Sequence, residues 1–235
     1  MDIYSFAIQN KEFLKIIYGL IIWLICVVIV FKTDKLFEIS LHQGIKYLRN
    51  AFFFYGFAFF LRYIVGSYYF VDSIPGIYYS LINIIFAFFL AMAGFFLVYS
   101  LIWKKIEPYD DRALSSFLNA RIMIFYFLSL IIAIMDYLWK THNFLFISQI
   151  VIFFIATIIS FSNFSHKARK QKFPKFYFIA MLVSLVIWIV NALASIYFNW
   201  DPGFVMNVYF LNVIVFLIFL YGVKSVTKKL NAVKN

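Results

Sequence analysis

Between Phe13 and Val223 the chain is a succession of apolar runs, each about twenty residues long, joined by short polar connections. A run of that length crosses a bilayer as a helix. At about 1.5 Å per residue it matches the hydrocarbon thickness, and a helix pairs its own backbone donors and acceptors where no water can. Seven runs qualify: Phe13–Phe31, Tyr47–Phe70, Ile77–Trp103, Ala120–Trp139, Phe144–Phe164, Phe176–Phe198 and Phe204–Val223. With 65% hydrophobic and 13% charged residues, the chain carries more apolar surface than a soluble core absorbs. The expected fold is all-α: a polytopic, seven-transmembrane helix bundle forming one transmembrane domain over residues 1–235, with residues 224–235 as a short basic tail. The first run has no small-residue cleavage site after it, so it reads as a retained span.

Charge sets the orientation. Of the 21 Lys and Arg, seventeen fall in alternate connections and the tail: Lys32, Lys35, Lys46 and Arg49; Lys104, Lys105, Arg112 and Arg121; Lys167, Arg169, Lys170, Lys172 and Lys175; Lys224, Lys228, Lys229 and Lys234. The opposite side has Lys11, Lys15 and Lys140. The positive-inside rule then places the N-terminus outside and the C-terminus in the cytoplasm of a multi-pass cell-membrane protein. The net charge of +11 belongs to membrane topology and does not point to nucleic acid. Asp34–Arg49, with Phe37, Leu41, Ile45 and Leu48 on one face, and the tail, with Val226, Leu230 and Val233, read as amphipathic pieces. They would lie on the inner leaflet, where each lysine gains about 1 kcal/mol from anionic lipid.

The remaining cation is Arg62, inside the second run. It lies eight residues from Phe70, roughly 12 Å into the membrane if Phe70 marks the outer end. A charge at that depth costs about 2.5–3.5 kcal/mol on insertion scales, so it is expected to face protein or to snorkel to the interface. Ala51, Tyr55, Ala58, Arg62, Gly66 and Tyr69 follow three- and four-residue steps and share a small or polar stripe, with Phe52, Phe53, Phe57 and Phe60 off it. Small residues admit neighbouring helices, so Arg62 is expected to point inward. A carboxylate partner would be Asp136 first and Asp72 second. Without one, the guanidinium is free for an anionic ligand group.

Other polar side chains gather at the same depth. Arg62, Asn83, Asp136, Gln149, Asn191 and Asn212 each lie within about nine residues of an outer helix end, on stripes of small residues. Ser80, Asn83, Ala87, Ala91 and Gly94 form one stripe; Tyr126, Ser129, Ala133 and Asp136 another; Gln149, Ala156 and Ser160 a third; Ala180, Ser184, Asn191 and Ser195 a fourth. These six are the candidate ligand-binding residues of a polar pocket open to the outside over an apolar floor. The competing reading is that the amides join helices, at roughly 0.6 kcal/mol each, and that Asp136 pairs with Lys140. The inner halves hold mostly hydroxyls, Ser100, Thr157 and Ser160, that can bond to their own helix carbonyls. All four prolines, Pro75, Pro108, Pro174 and Pro202, read as loop residues.

Catalytic signatures are lacking. His42, His142 and His166 have no metal-ligand spacing, Cys26 is the single cysteine, and Asp110-Asp111 is an isolated pair in an inner connection. The 33 Phe and 17 Tyr go with richness in Ile, Asn and Lys, as AT-rich coding would give. No enzyme activity is expected. In span count and orientation the chain is similar to microbial rhodopsins, whose retinal is held by a seventh-helix lysine. Phe204–Val223 has none, so no retinal and no other cofactor is expected. In size it is also similar to SWEET-type sugar transporters, although it lacks their helix prolines. Ser67-Tyr-Tyr-Phe70 with Asp72 and Pro75-Gly76 resembles Ser195-Ile-Tyr-Phe198 with Asp201-Pro202-Gly203, which would relate two parallel three-helix halves through a linking fourth helix. Turn chemistry alone could produce the same match.

Three functions stay open on the sequence. One is a receptor or sensor that takes a small ligand from outside at Arg62 and meets lipid or a separate signalling partner at its basic face. Another is a small-solute or ion transporter made of the two halves. The third is a structural subunit of a membrane complex.

Overall fold

The computed structural model describes residues 10–40, 43–67, 76–106, 120–139, 143–167, 172–197 and 202–234. All regular structure among them is helical, in an all-α membrane helix bundle. The helices are α1 (Lys11–Ser40), α2 (Gln43–Phe59), α3 (Gly76–Ile106), α4 (Ala120–Trp139), α5 (Asn143–Lys167), α6 (Lys172–Tyr197) and α7 (Pro202–Lys234). Every one except α2 contains a segment long and apolar enough to cross a membrane. The 17-residue α2 continues directly into a π-helical segment, Phe60–Val65, and the two together are of comparable length.

Helix contacts trace a closed ring. α1 packs on α2, α2 on α3, α3 on α5, α5 on α6, α6 on α7, and α7 returns to α1. α4 stands outside the ring against α3 and α5. Its composition fits that place: Met123, Ile124, Phe127, Leu130, Ile134 and Leu138 are all exposed, as a lipid-facing helix requires. Its small and polar positions, Ser129, Ala133 and Asp136, are buried, together with Ile122. The stripes on α3, α5 and α6 turn inward in the same way, with Ala87, Ala91, Gly94, Gln149, Ala156, Ser160, Ala180, Ser184 and Asn191 buried.

On α2 the buried face is wider than the small-residue stripe. Phe52, expected off that stripe, is wholly enclosed, while Phe53 and Phe57 are exposed. The reason is that α2 has α1 on one flank and α3 on the other, so the arc facing the ring interior between them is buried too. Phe52 meets Phe219 edge-on at 5.0 Å, and Phe216 takes edge contacts from Tyr55 and Phe59 at 5.6 and 5.7 Å. These T-shaped pairs are the favoured aromatic geometry and fill the middle of the ring.

Three local expectations are corrected. Asp34–Arg49 is not one interfacial piece: residues 34–40 are the end of α1, residues 43–49 begin α2, and an Arg49–Asp34 ion pair ties the two helices. The tail likewise continues α7 without a break to Lys234. Pro174 and Pro202 are not loop residues. They occupy the first turns of α6 and α7, where backbone amides lack intrahelical acceptors, so a missing N–H costs nothing. Asp72, Pro75, Pro108, Asp110, Asp111, Lys140, His42 and His142, and half of the two outer-turn signatures, lie outside the described residues.

Candidate functional site

Arg62 sits in the π-helical segment. The Gly66 amide donates to the Leu61 carbonyl five residues back, at 2.8 Å, and Ser67 Oγ donates to the Ile64 carbonyl at 2.8 Å. A π turn takes an extra residue, so the three- and four-residue stepping that put Arg62 beneath Gly66 is broken there. The wider turn is held against α1 at Gly19. A Cβ on Gly19 would stand 2.3 Å from Tyr63 Cβ, so only glycine admits this approach.

The approach brings together three tyrosines from three helices. Tyr18 of α1 stacks on Tyr209 of α7 at 4.1 Å and meets Tyr63 edge-on at 5.1 Å. Tyr63 also meets Tyr209 edge-on at 6.1 Å. The Arg62 guanidinium lies over the Phe86 ring of α3, 4.4 Å from its centre. Among the described residues no carboxylate is within ion-pair distance of it. The expected Arg62–Asp136 pair does not form.

These groups line a cavity of about 80 Å³ inside the ring. Arg62, Tyr18, Tyr63, Tyr209, Asn191 and Asn212 surround one end, and Phe52, Phe153 and Phe219 the other. Asn191 and Asn212 exchange amide hydrogen bonds of 3.2 and 3.3 Å across α6 and α7, and Asn191 Nδ2 also donates to the Ile187 carbonyl at 2.8 Å. Their first role is thus to join two helices beside the cavity. Deeper in, the Tyr55 hydroxyl, on a residue 4% exposed, has no hydrogen-bond partner among the described residues.

The six predicted residues therefore separate. Arg62, Asn191 and Asn212 line the inner cavity. Asn83 and Asp136 line a different cleft of about 370 Å³ between α3 and α4, with Ser80 and Tyr79. Asp136 is buried, and its Oδ1 accepts the Leu145 N–H at 2.9 Å, near the start of α5. It caps a helix whose first amides have no intrahelical acceptor. Gln149 is in neither site. It is wholly buried, its Oε1 lies against the open side of Gly94, and both its amide atoms lack partners among the described residues. Among the described residues no group of His, Cys, Asp or Glu could hold a metal ion. Towards the lysine-rich end, Ser100 and Thr157 donate to the Leu97 and Phe153 carbonyls, and the Ser100 and Tyr177 hydroxyls meet at 2.7 Å across the ring.

Tyr18, Tyr63, Tyr209 and Phe86 were not candidates on the sequence. The available signal was position: each tyrosine lies close to the same end of its helix as Arg62. In a chain with 17 Tyr and 33 Phe that signal is faint.

No known family's model matches the chain, and no solved structure matches it. It is similar to an uncharacterised protein of Archaeoglobus fulgidus, 29% identical over 220 residues, which cover 88% of this chain and 89% of that protein. The resemblance spans nearly the whole of both chains.

Proposed function

We propose that this membrane helix bundle is a receptor or sensor that binds a small anion in the cavity at Arg62. The observation that carries the reading is an arginine turned to a cavity with no carboxylate beside it among the described residues. A charge kept at membrane depth is a functional feature by default, and a guanidinium is suited to planar anions. The cavity's far end is closed by aromatic contacts such as Phe52–Phe219, which favours occupancy from one side over passage. The N-terminus would face outside and the basic end the cytoplasm, against anionic lipid or a signalling partner.

A transporter is the second reading, favoured by the pattern of helix contacts. Matching α1, α2 and α3 to α5, α6 and α7 maps α1–α2 onto α5–α6, α2–α3 onto α6–α7, and α3–α5 onto α7–α1. Two parallel halves about an axis along the membrane normal give this pattern. The deciding experiment reconstitutes the protein in liposomes. Small anions that raise the thermal midpoint of the wild type and not of Arg62→Ala support a site at Arg62. Arg62-dependent uptake of the same anion would select the transporter. An equal midpoint response in both proteins would end both readings.

A further inference from the structure

Granted an anion site at Arg62, on which this inference rests, the cavity's size, charge and two-ended lining narrow the anion to one chemical class. We propose that the ligand is a short-chain aliphatic monocarboxylate of about two or three carbons. The carboxylate lies on the Arg62 guanidinium, and the alkyl end faces the aromatic floor.

Size is the first argument. A cavity of about 150 Å³ takes benzene, with its six heavy atoms. At about 80 Å³, roughly half of that, the space takes about four heavy atoms and is too small for an aromatic acid. Acetate has four heavy atoms and propionate five. Charge is the second argument. Arg62 is the single cation among the described lining residues, so a monoanion leaves the site neutral, whereas a dianion would leave a net negative charge where solvation is poor. Shape is the third. A guanidinium matches a planar carboxylate with two parallel hydrogen bonds. The fourth is polarity: the Tyr18, Tyr63 and Tyr209 hydroxyls share the Arg62 end, while Phe52 and Phe219 occupy the opposite end, where a methyl or ethyl group gains by burial.

The test is calorimetric binding to purified wild type and Arg62→Gln in nanodiscs at fixed ionic strength. The probes are sodium acetate, propionate, butyrate, hexanoate and sulfate, with 1-butanol as the uncharged control. Saturable binding of acetate and propionate is expected. Arg62→Gln should weaken it at least tenfold, and hexanoate, sulfate and butanol should bind at least tenfold more weakly than propionate. Sulfate binding as tightly as propionate and lost in Arg62→Gln would sink the carboxylate assignment and leave the anion site standing. No anion binding at all would sink both. Phe219→Leu keeps Arg62 and widens the floor, so it should move the preferred acid one or two carbons longer. An unchanged length preference overturns the proposed seating even if Arg62→Gln fails to fold.

Discussion

The Arg62 guanidinium lies 4.4 Å from the centre of the Phe86 ring, so the charge inside this bundle rests on an aromatic face of the neighbouring helix. A cation–π contact stabilises by about 0.5–1 kcal/mol when exposed and about 2 when desolvated, and half-buried Arg62 belongs between. Phe86→Leu keeps most of the buried volume and removes the ring. A double-mutant cycle of Phe86→Leu and Arg62→Met, read by reversible unfolding in detergent, should give a coupling of about 1 kcal/mol. Additive effects would mean that the ring only fills space.

The Asn191–Asn212 pair predicts a different pattern. Either Asn→Leu change leaves the other amide short of a partner, at about 1 kcal/mol. The double Leu variant removes both amides and should cost little more than one single change. If the double variant loses as much as the sum, the two amides do not act as a pair.

The fold was legible because its main signal is one-dimensional. Apolar length gives the spans, and small-residue stripes give the inward faces, as Ala87, Ala91 and Gly94 on α3 illustrate. Depth along each helix was legible too, since it is a residue count. Azimuth across helices was not. Asn83 and Arg62 share a depth, yet α3 turns Asn83 to α4 and Phe86 to the ring interior. Which helix neighbours which is decided by packing, and α4's place outside the ring sends Asp136 to a separate cleft. The π turn at Phe60–Val65 had no signature in FLRYIV, because a single inserted residue follows from contacts such as Gly19 against Tyr63.

That contact yields the third prediction. Tyr63 Cβ is fixed to its backbone, so Gly19→Ala must push α1 from the π segment. Overpacking of this kind costs about 1–3 kcal/mol. Gly222 meets nothing within 4 Å of an added Cβ, so Gly222→Ala should be neutral or stabilising by up to about 1 kcal/mol. Equal effects of the two substitutions on the unfolding midpoint would refute the close approach at Gly19.

Asp136 tests whether the two polar clusters are independent. Asp136→Ala removes the acceptor of the Leu145 amide and should cost about 1–2 kcal/mol, with Asp136→Asn costing less because an acceptor oxygen remains. Neither should alter any ligand response that depends on Arg62, since Asp136 lines the other cleft. A response abolished by Asp136→Asn would show that the cleft and the cavity work as one site.

The orientation proposed from the charge distribution can be read with cysteine chemistry, because Cys26 is 1% exposed and is the single cysteine. In a Cys26→Ala background, Tyr197→Cys places a thiol at the Arg62 end of α6, where the native residue is 73% exposed. Lys224→Cys places one on exposed α7 surface toward the lysine-rich end. A membrane-impermeant maleimide added to intact cells should label the first and reach the second only after lysis. The reverse pattern would put the Arg62 cavity nearer the cytoplasm, and its ligand would then come from metabolism inside the cell. Such a result would overturn the positive-inside assignment and leave the bundle and its cavity as described.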